Sequence, residues 1–230
     1  PKMEEMDVVF LMDRFGYAKT IDAAAYERNK EAADSENRYV IPCKNTDKIG
    51  LFTNRGQMHL LKAADLPYGK FRDKGQPVDN LSNYSSSEET LVFVSSLTEM
   101  KQKKMLFVTK TGMLKVVDGK EFDVSKRTTA ATKLNDEDEV IRIGVYEEGL
   151  HLVLQSQKGM FLRMEASSIP EKKKGAVGVR GMKLAVGDEV ACAYFLMPGE
   201  SMKIALKDKE LELNRLRVAG RDTKGVKHGS

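Results

Sequence analysis

The chain has 230 residues, with 38 Lys and Arg against 34 Asp and Glu, a formal charge of +4. Hydrophobic residues make up 41% and charged residues 31%, enough apolar material for a sizeable core. The longest apolar run, Val190–Met197, is far short of the roughly 20 residues that span a bilayer, and Cys43 and Cys192 stand too far apart in sequence to suggest a disulfide scaffold. Two thiols of this kind suit a reducing cytoplasm and a buried setting. The first residue is Pro1, so the chain reads as a segment of something longer.

The charge is unevenly spread. Residues 1–100 carry 13 basic and 16 acidic side chains, and residues 101–230 carry 25 and 18. Within the second part, residues 101–133 hold 9 basic and 3 acidic groups, and 134–150 hold 1 and 6. Alternating blocks of this kind are either solvated faces or basic strips suited to a phosphate backbone.

Taken in chain order, the sequence repeats. Val9–Ile21 runs from an apolar strand through Gly16 into a second strand, and Ala23–Ala33 reads as a helical turn or loop insertion. The same pattern recurs at Ile49–Leu61 around Gly56, at Met105–Val117 around Gly112 and at Leu152–Met164 around Gly159. Each is the signature of a β-hairpin whose glycine takes positive φ in a three-residue loop. The polar run Ser82–Glu89 reads as a flexible inter-strand loop. Leu134–Val140 and Leu184–Val190 share Leu, then Asp four residues on, then Glu and Val; this reads as a turn before a strand. A degenerate fifth unit, Met202–Leu213, is followed by the glycine-containing tail Gly220–Lys227. The expectation is an all-β, propeller-like fold of four-stranded antiparallel blades forming one domain over 1–230. The blades are expected at about 7–48, 49–97, 103–148 and 149–200, with a partial one at 201–227.

Gly-Tyr-Ala-Lys19, Thr-Gly-Met-Leu-Lys115, Gly-Met-Phe-Leu-Arg163 and Lys174-Gly-Ala-Val-Gly-Val-Arg180-Gly, followed by Gly-Asp-Glu-Val190, resemble the C-terminal domain of bacterial type IIA topoisomerase A subunits, those of DNA gyrase and topoisomerase IV. The resemblance covers roughly residues 7–227. It implies a β-pinwheel, with strands exchanged between neighbouring blades and a first blade lacking here. It also implies non-specific binding and bending of double-stranded DNA, presented for ATP-dependent strand passage in an A2B2 enzyme with the A-subunit cleavage domain and the B subunit. The implied setting is the bacterial cytoplasm, at the nucleoid and away from membranes, with this segment a monomer. ATP and Mg are expected elsewhere in that enzyme, with no cofactor, metal or catalytic residue in this segment. The gyrase heptapeptide Gln-Arg-Arg-Gly-Gly-Lys-Gly is absent from the sequence, so gyrase and topoisomerase IV both stay open.

DNA wrapping needs cations spaced along a curved surface. The candidates are Lys19, Lys115 and Arg163 after the hairpin glycines, Arg55, Lys110 and Lys158 at the turns, and Lys62, Lys126, Arg127, Lys172, Lys173, Lys174, Arg180, Arg221 and Lys224 elsewhere. The acidic block Asp136–Glu139 is expected on a face away from DNA. His59, His151 and His228 have no ligand spacing around them. Two other readings are a propeller-type protein-interaction module without DNA binding and, more remotely, a propeller enzyme with a central-channel site.

Overall fold

The computed structural model describes residues 4–229. Among the described residues the regular structure is mostly strand, gathered into four sheets of one plan and a two-stranded hairpin, with a few short helices. Two compact units result. Among the described residues, one holds 4–53, Gln57–Gln102 and Phe122–Thr129; the other holds Asn54–Gly56, Lys103–Glu121 and 130–229.

In the first unit, hairpin Asp7–Met12/Tyr17–Asp22 is flanked by Tyr39–Lys44, and hairpin Lys48–Thr53/Gln57–Lys62 by Leu91–Ser96. Alternation sends Phe10, Met12 and Ala18 from the first sheet against Ile49, Leu51, Leu61 and Val94 from the second, all buried. Each fully buried large apolar side chain contributes about 1.5–3 kcal/mol. The opposite face of the first sheet, Val9, Leu11 and Ile21, is covered by Ala25, Tyr26 and Ala33 from two short helices, Ala23–Arg28 and Lys30–Glu36. Asp22 starts the first helix by accepting a hydrogen bond from the Ala24 N–H. The Ala-rich insertion is therefore helical, the first of the two readings, helical turn or loop, that its sequence allows.

In the second unit, hairpins Lys104–Thr109/Met113–Asp118 and His151–Ser156/Met160–Glu165 are flanked by Val140–Tyr146 and Val190–Leu196. Leu106, Val108, Leu114 and Val116 pack on Leu152, Leu154, Leu162 and Met164. On the far side of the last four-stranded sheet, Val153, Phe161 and Leu196 receive Leu211 and Leu213 of the terminal hairpin segment.

The fourth strand of each sheet does not come from its own repeat. Tyr17–Asp22 is closed by Tyr68–Gly69 and Gln76–Pro77, and Gln57–Lys62 by Thr128–Ala130. Likewise Met113–Asp118 is closed by Val179–Arg180, and Met160–Glu165 by Val226–Lys227. Every donor lies in the following repeat, so a contiguous stretch of about 50 residues holds three strands of its own sheet and one of its predecessor's.

Two sets of glycines make this geometry possible. Gly16, Gly56, Gly112 and Gly159 all have φ between 75° and 87°, the left-handed turn read from the sequence. Three of the tips have three residues; the first, between Met12 and Tyr17, has four. Where a donated strand crosses its hairpin, a Cβ on Gly75 or Gly178 would collide with the backbone carbonyl of Ala18 or Leu114, two residues past the hairpin glycine in each case.

Two expectations are corrected. Cys43 is half-buried, with its thiol pushed up to about 11 chiefly by burial, but Cys192 is exposed, because its strand turns that side chain to the surface. The Ser82–Glu89 loop is tied down: the Glu89 carboxylate accepts from the Ser85 N–H, and the Asp79 carboxylate from the Ser86 N–H.

Gly178→Ala is expected to destabilise the protein by about 1–3 kcal/mol, because the new methyl has nowhere to go. Gly175→Ala, three residues away with open space around it, is expected to stay within about 0.5 kcal/mol of the parent. Urea unfolding of both variants measures the contrast, and equal midpoints would refute the packing argument.

Candidate nucleic-acid interface

The cations that follow the hairpin glycines face inward. Lys115 is only 1% exposed, and its ammonium donates to the carbonyls of Lys173 (2.9 Å), Lys174 (3.2 Å) and Ala176 (2.7 Å), with the Phe107 ring 5.7 Å away. Lys19 does the equivalent in the first sheet: Nζ donates to the carbonyls of Phe71 and Asp73 and lies 5.2 Å from the Phe71 ring centre. Burial draws both ammonium groups below the ordinary lysine value, Lys115 to about 8, while Glu121 pulls Lys115 and Asp73 pulls Lys19 back up. His59 occupies the same place in the second sheet, with Nδ1 at 2.8 Å from Thr128 Oγ1 and Nε2 at 2.8 Å from Glu89 Oε2.

Arg163 lies four residues after its glycine rather than three, and strand alternation turns it to the opposite face. Its Nη1 donates to the carbonyls of Asn214 (2.7 Å) and Leu216 (3.1 Å), and Nε to His151 Nδ1. All these side chains grip a segment that crosses from the next repeat. They are braces.

The braced segments carry the exposed charge. Lys19 fixes a loop bearing Lys70, Arg72 and Lys74, all exposed; Lys115 fixes one bearing exposed Lys172 and Lys173. Lys174 is half-buried, its Nζ on the Glu121 carbonyl and its N–H on the Glu121 carboxylate. The corresponding segment of the second sheet shows exposed Lys126 and Arg127, the latter donating to the Leu81 carbonyl. The last carries exposed Arg217 and Lys224 and half-buried Arg221, which donates to the carbonyls of Ser168 and Arg180. Arg180 makes a two-pronged pair with Asp222 at the surface, which holds the arginine above and the carboxyl below its ordinary value.

Two clefts gather cations. Lys62, Lys126 and Arg127 meet Lys48 around a space of about 290 Å³, with Asp65 the acid present. Arg163, Lys183, Arg217 and Lys224 line another of about 870 Å³, opposed by Glu165. The sequence reading missed Lys48, Lys70, Arg72, Lys74, Lys183 and Arg217. A signal for the first loop existed: Pro67 leads to Gly75 over the same spacing as Pro170 leads to Gly178, with Lys70, Arg72 and Lys74 between the first pair as Lys172, Lys173 and Lys174 are between the second.

At the tips, Arg55 and Lys158 are exposed and Lys110 half-buried. Lys110 Nζ lies 3.4 Å from Glu139 Oε2, Arg55 adds its field to the same carboxylate, and Lys158 Nζ donates to the Val186 carbonyl. The hydrogen bond from Asn54, helped by Lys110, holds the Glu139 carboxyl below its ordinary range. The acidic block is split in its roles. Asp136 and Glu137 are exposed, whereas Asp138 is buried and accepts from the Thr111 N–H (2.9 Å) and hydroxyl (2.7 Å). Asp188 accepts from the Lys158 N–H in the same way. The repeated Asp-Glu pair is thus a turn device, as its spacing predicts, and it braces the hairpin tip.

Four-stranded antiparallel sheets repeated along the chain, each closed by a strand from the next repeat, define a β-propeller-class domain that carries its basic residues on the crossing segments. A family model described as the DNA gyrase C-terminal domain, beta-propeller, matches residues 103–146 and 150–191. The DNA gyrase A protein of Lawsonia intracellularis is 28% identical over 238 residues, covering 96% of this chain and 29% of that protein. Its counterpart in Helicobacter pylori strain J99 is 26% identical, covering 94% and 28%. Among solved structures, the C-terminal domain of DNA topoisomerase IV superposes with a TM-score of 0.86 at 22% identity, covering 98% of this chain and 73% of that one. The E. coli ParC C-terminal domain gives 0.79 at 16%, covering 97% and 94%. The chain is thus similar, in its fold and over most of its length in sequence, to the C-terminal domains of type II topoisomerase A subunits. It spans less than a third of the length of these curated gyrase relatives.

The folded Lys115 value of about 8 lies below its ordinary 10.5, so in that pH window the unfolded chain binds more protons and stability rises with pH. Lys115→Met removes this contribution. The stability advantage of the parent over Lys115→Met is therefore expected to be larger at about pH 10 than at about pH 7 in chemical denaturation. An equal gap would mean that Lys115 titrates as an exposed lysine.

Proposed function

We propose that this domain binds duplex DNA without reading its sequence and bends it, presenting a segment to the strand-passage machinery of a type II topoisomerase. The observation that carries the reading is the braced loop: exposed cations recur on the segments that cross between repeats, and buried or half-buried side chains tie those segments down. A stiff loop loses little entropy on binding, so its cations act at full strength on phosphates. Lys172 and Lys173 sit on such a loop beside Gly175, where a phosphate oxygen has room to approach. The longest described helix has seven residues, too short to serve as a major-groove recognition helix, so the loop cations contact the backbone.

In this reading the partners are the A-subunit cleavage domain and the B subunit of an A2B2 enzyme. ATP hydrolysis, Mg²⁺ and the cleavage chemistry belong to those parts, and no residue of this chain is assigned to them. The working place is the bacterial cytoplasm, on the nucleoid.

Fluorescence anisotropy with long duplexes across salt concentrations tests the reading. The expected result is sub-micromolar affinity at low salt that falls steeply as salt rises. Lys172→Ala/Lys173→Ala is expected to weaken binding alike for unrelated sequences and to lower the salt slope by about 2. Absence of binding at low salt would overturn the proposal in favour of a protein-interaction module.

A further inference from the structure

The four hairpins share one plan, and a single tip departs from it. Asn54-Arg55-Gly56, Lys110-Thr111-Gly112 and Gln157-Lys158-Gly159 are three residues long and show polar or charged side chains. The first tip, Asp13-Arg14-Phe15-Gly16, has one residue more and sets Phe15 at 73% exposure, with Tyr17 at 47% beside it. A repeat fold provides its own controls, and the three other tips show that the turn closes without an aromatic residue.

The tip is stiff. Asp13 Oδ1 accepts from the N–H groups of both Phe15 (2.9 Å) and Tyr17 (3.0 Å), while the Asp13 N–H donates to the Tyr17 carbonyl and the Gly16 N–H to that of Asp13. The Arg14 guanidinium lies 5.0 Å from the Phe15 ring centre. Phe15 and Tyr17 share a cleft with the loop that Lys19 braces, alongside Arg72 and Lys74. Of the acids in that cleft, Asp13 is committed to the turn and Asp73 to the Lys70 N–H, which leaves Glu36.

We propose that Phe15 is a wedge that enters a base step of bound duplex DNA and fixes the position of a kink, with Arg14, Arg72 and Lys74 on the flanking phosphates. The inference rests on the DNA-binding reading and adds a defined contact to it. An exposed ring flanked by cations matches the chemistry of a partly unstacked base step, where an apolar face meets bases and positive charge meets the backbone. A protein partner would call for a continuous apolar patch of a few hundred Å², whereas the exposed rings of Phe15 and Tyr17 stand beside Arg14, Arg72 and Lys74.

The chain contains no tryptophan, so Phe15→Trp places a single indole at the tip. Its emission is expected to be quenched on duplex binding, whereas Gln157→Trp, at an exposed position of an ordinary tip, keeps its emission. Phe15→Ala is expected to retain the parent's thermal midpoint and salt slope, to bind about five- to tenfold more weakly, and to reduce the bend measured by energy transfer between duplex ends. Equal quenching at both tips, or an unchanged bend in Phe15→Ala, would sink the wedge while leaving DNA binding intact. A parent chain that fails to bind DNA removes the underlying reading instead.

Discussion

A three-stranded sheet with a bare edge invites pairing with whatever strand comes near, and this chain answers with its own next repeat. Everything else follows from the crossing. The donated segment first runs parallel to the second hairpin strand, as at Thr20 with Tyr68 and Val116 with Glu171, and then folds back antiparallel. Between those contacts it must leave the sheet, and the excursion is the basic loop. Gly75 and Gly178 let the backbone press against the hairpin carbonyls, and Lys19 and Lys115 collect the loop carbonyls that the excursion leaves without a strand partner.

Lysine at that position solves two problems at once. Its alkyl stem lies among apolar side chains, such as Phe107 beside Lys115, and its ammonium supplies donors to carbonyls that converge from three residues. The cost is desolvation of a charge, visible as the lowered proton affinity of both lysines. The exposed lysines on the loop bear no such cost, and they inherit a fixed backbone on which to stand.

Much of this was legible in the sequence. The glycine anchors gave the hairpins and their positive φ, the alternation gave the buried faces, and the Leu-Asp-Glu-Val spacing gave the turns, because each rests on a local rule. The donated strands were not legible. Val179–Arg180 and Val226–Lys227 are two residues long, too short to show a period, and their partners are set by tertiary crossing. For the same reason Lys19 and Lys115 read as surface cations: nothing within their own hairpins reveals that a later repeat will cover them. Arg163 looks equivalent to them in sequence, but its spacing of four residues from the glycine puts it on the other face, where it meets Asn214 and Leu216. Phe15 gives no signal of its own, because one exposed aromatic residue is ordinary until the other three tips are compared with it.

The strand exchange also sets a schedule for synthesis. In sequence, 58 residues separate Ala18 from its partner Gln76, and 65 separate Leu114 from Val179 and Phe161 from Val226. At about 5–20 residues per second, a ribosome takes several seconds to deliver the strand that completes the sheet before it. Each hairpin therefore emerges with an open edge and waits. The nascent chain grows as a row of unfinished sheets, each sealed by the repeat behind it.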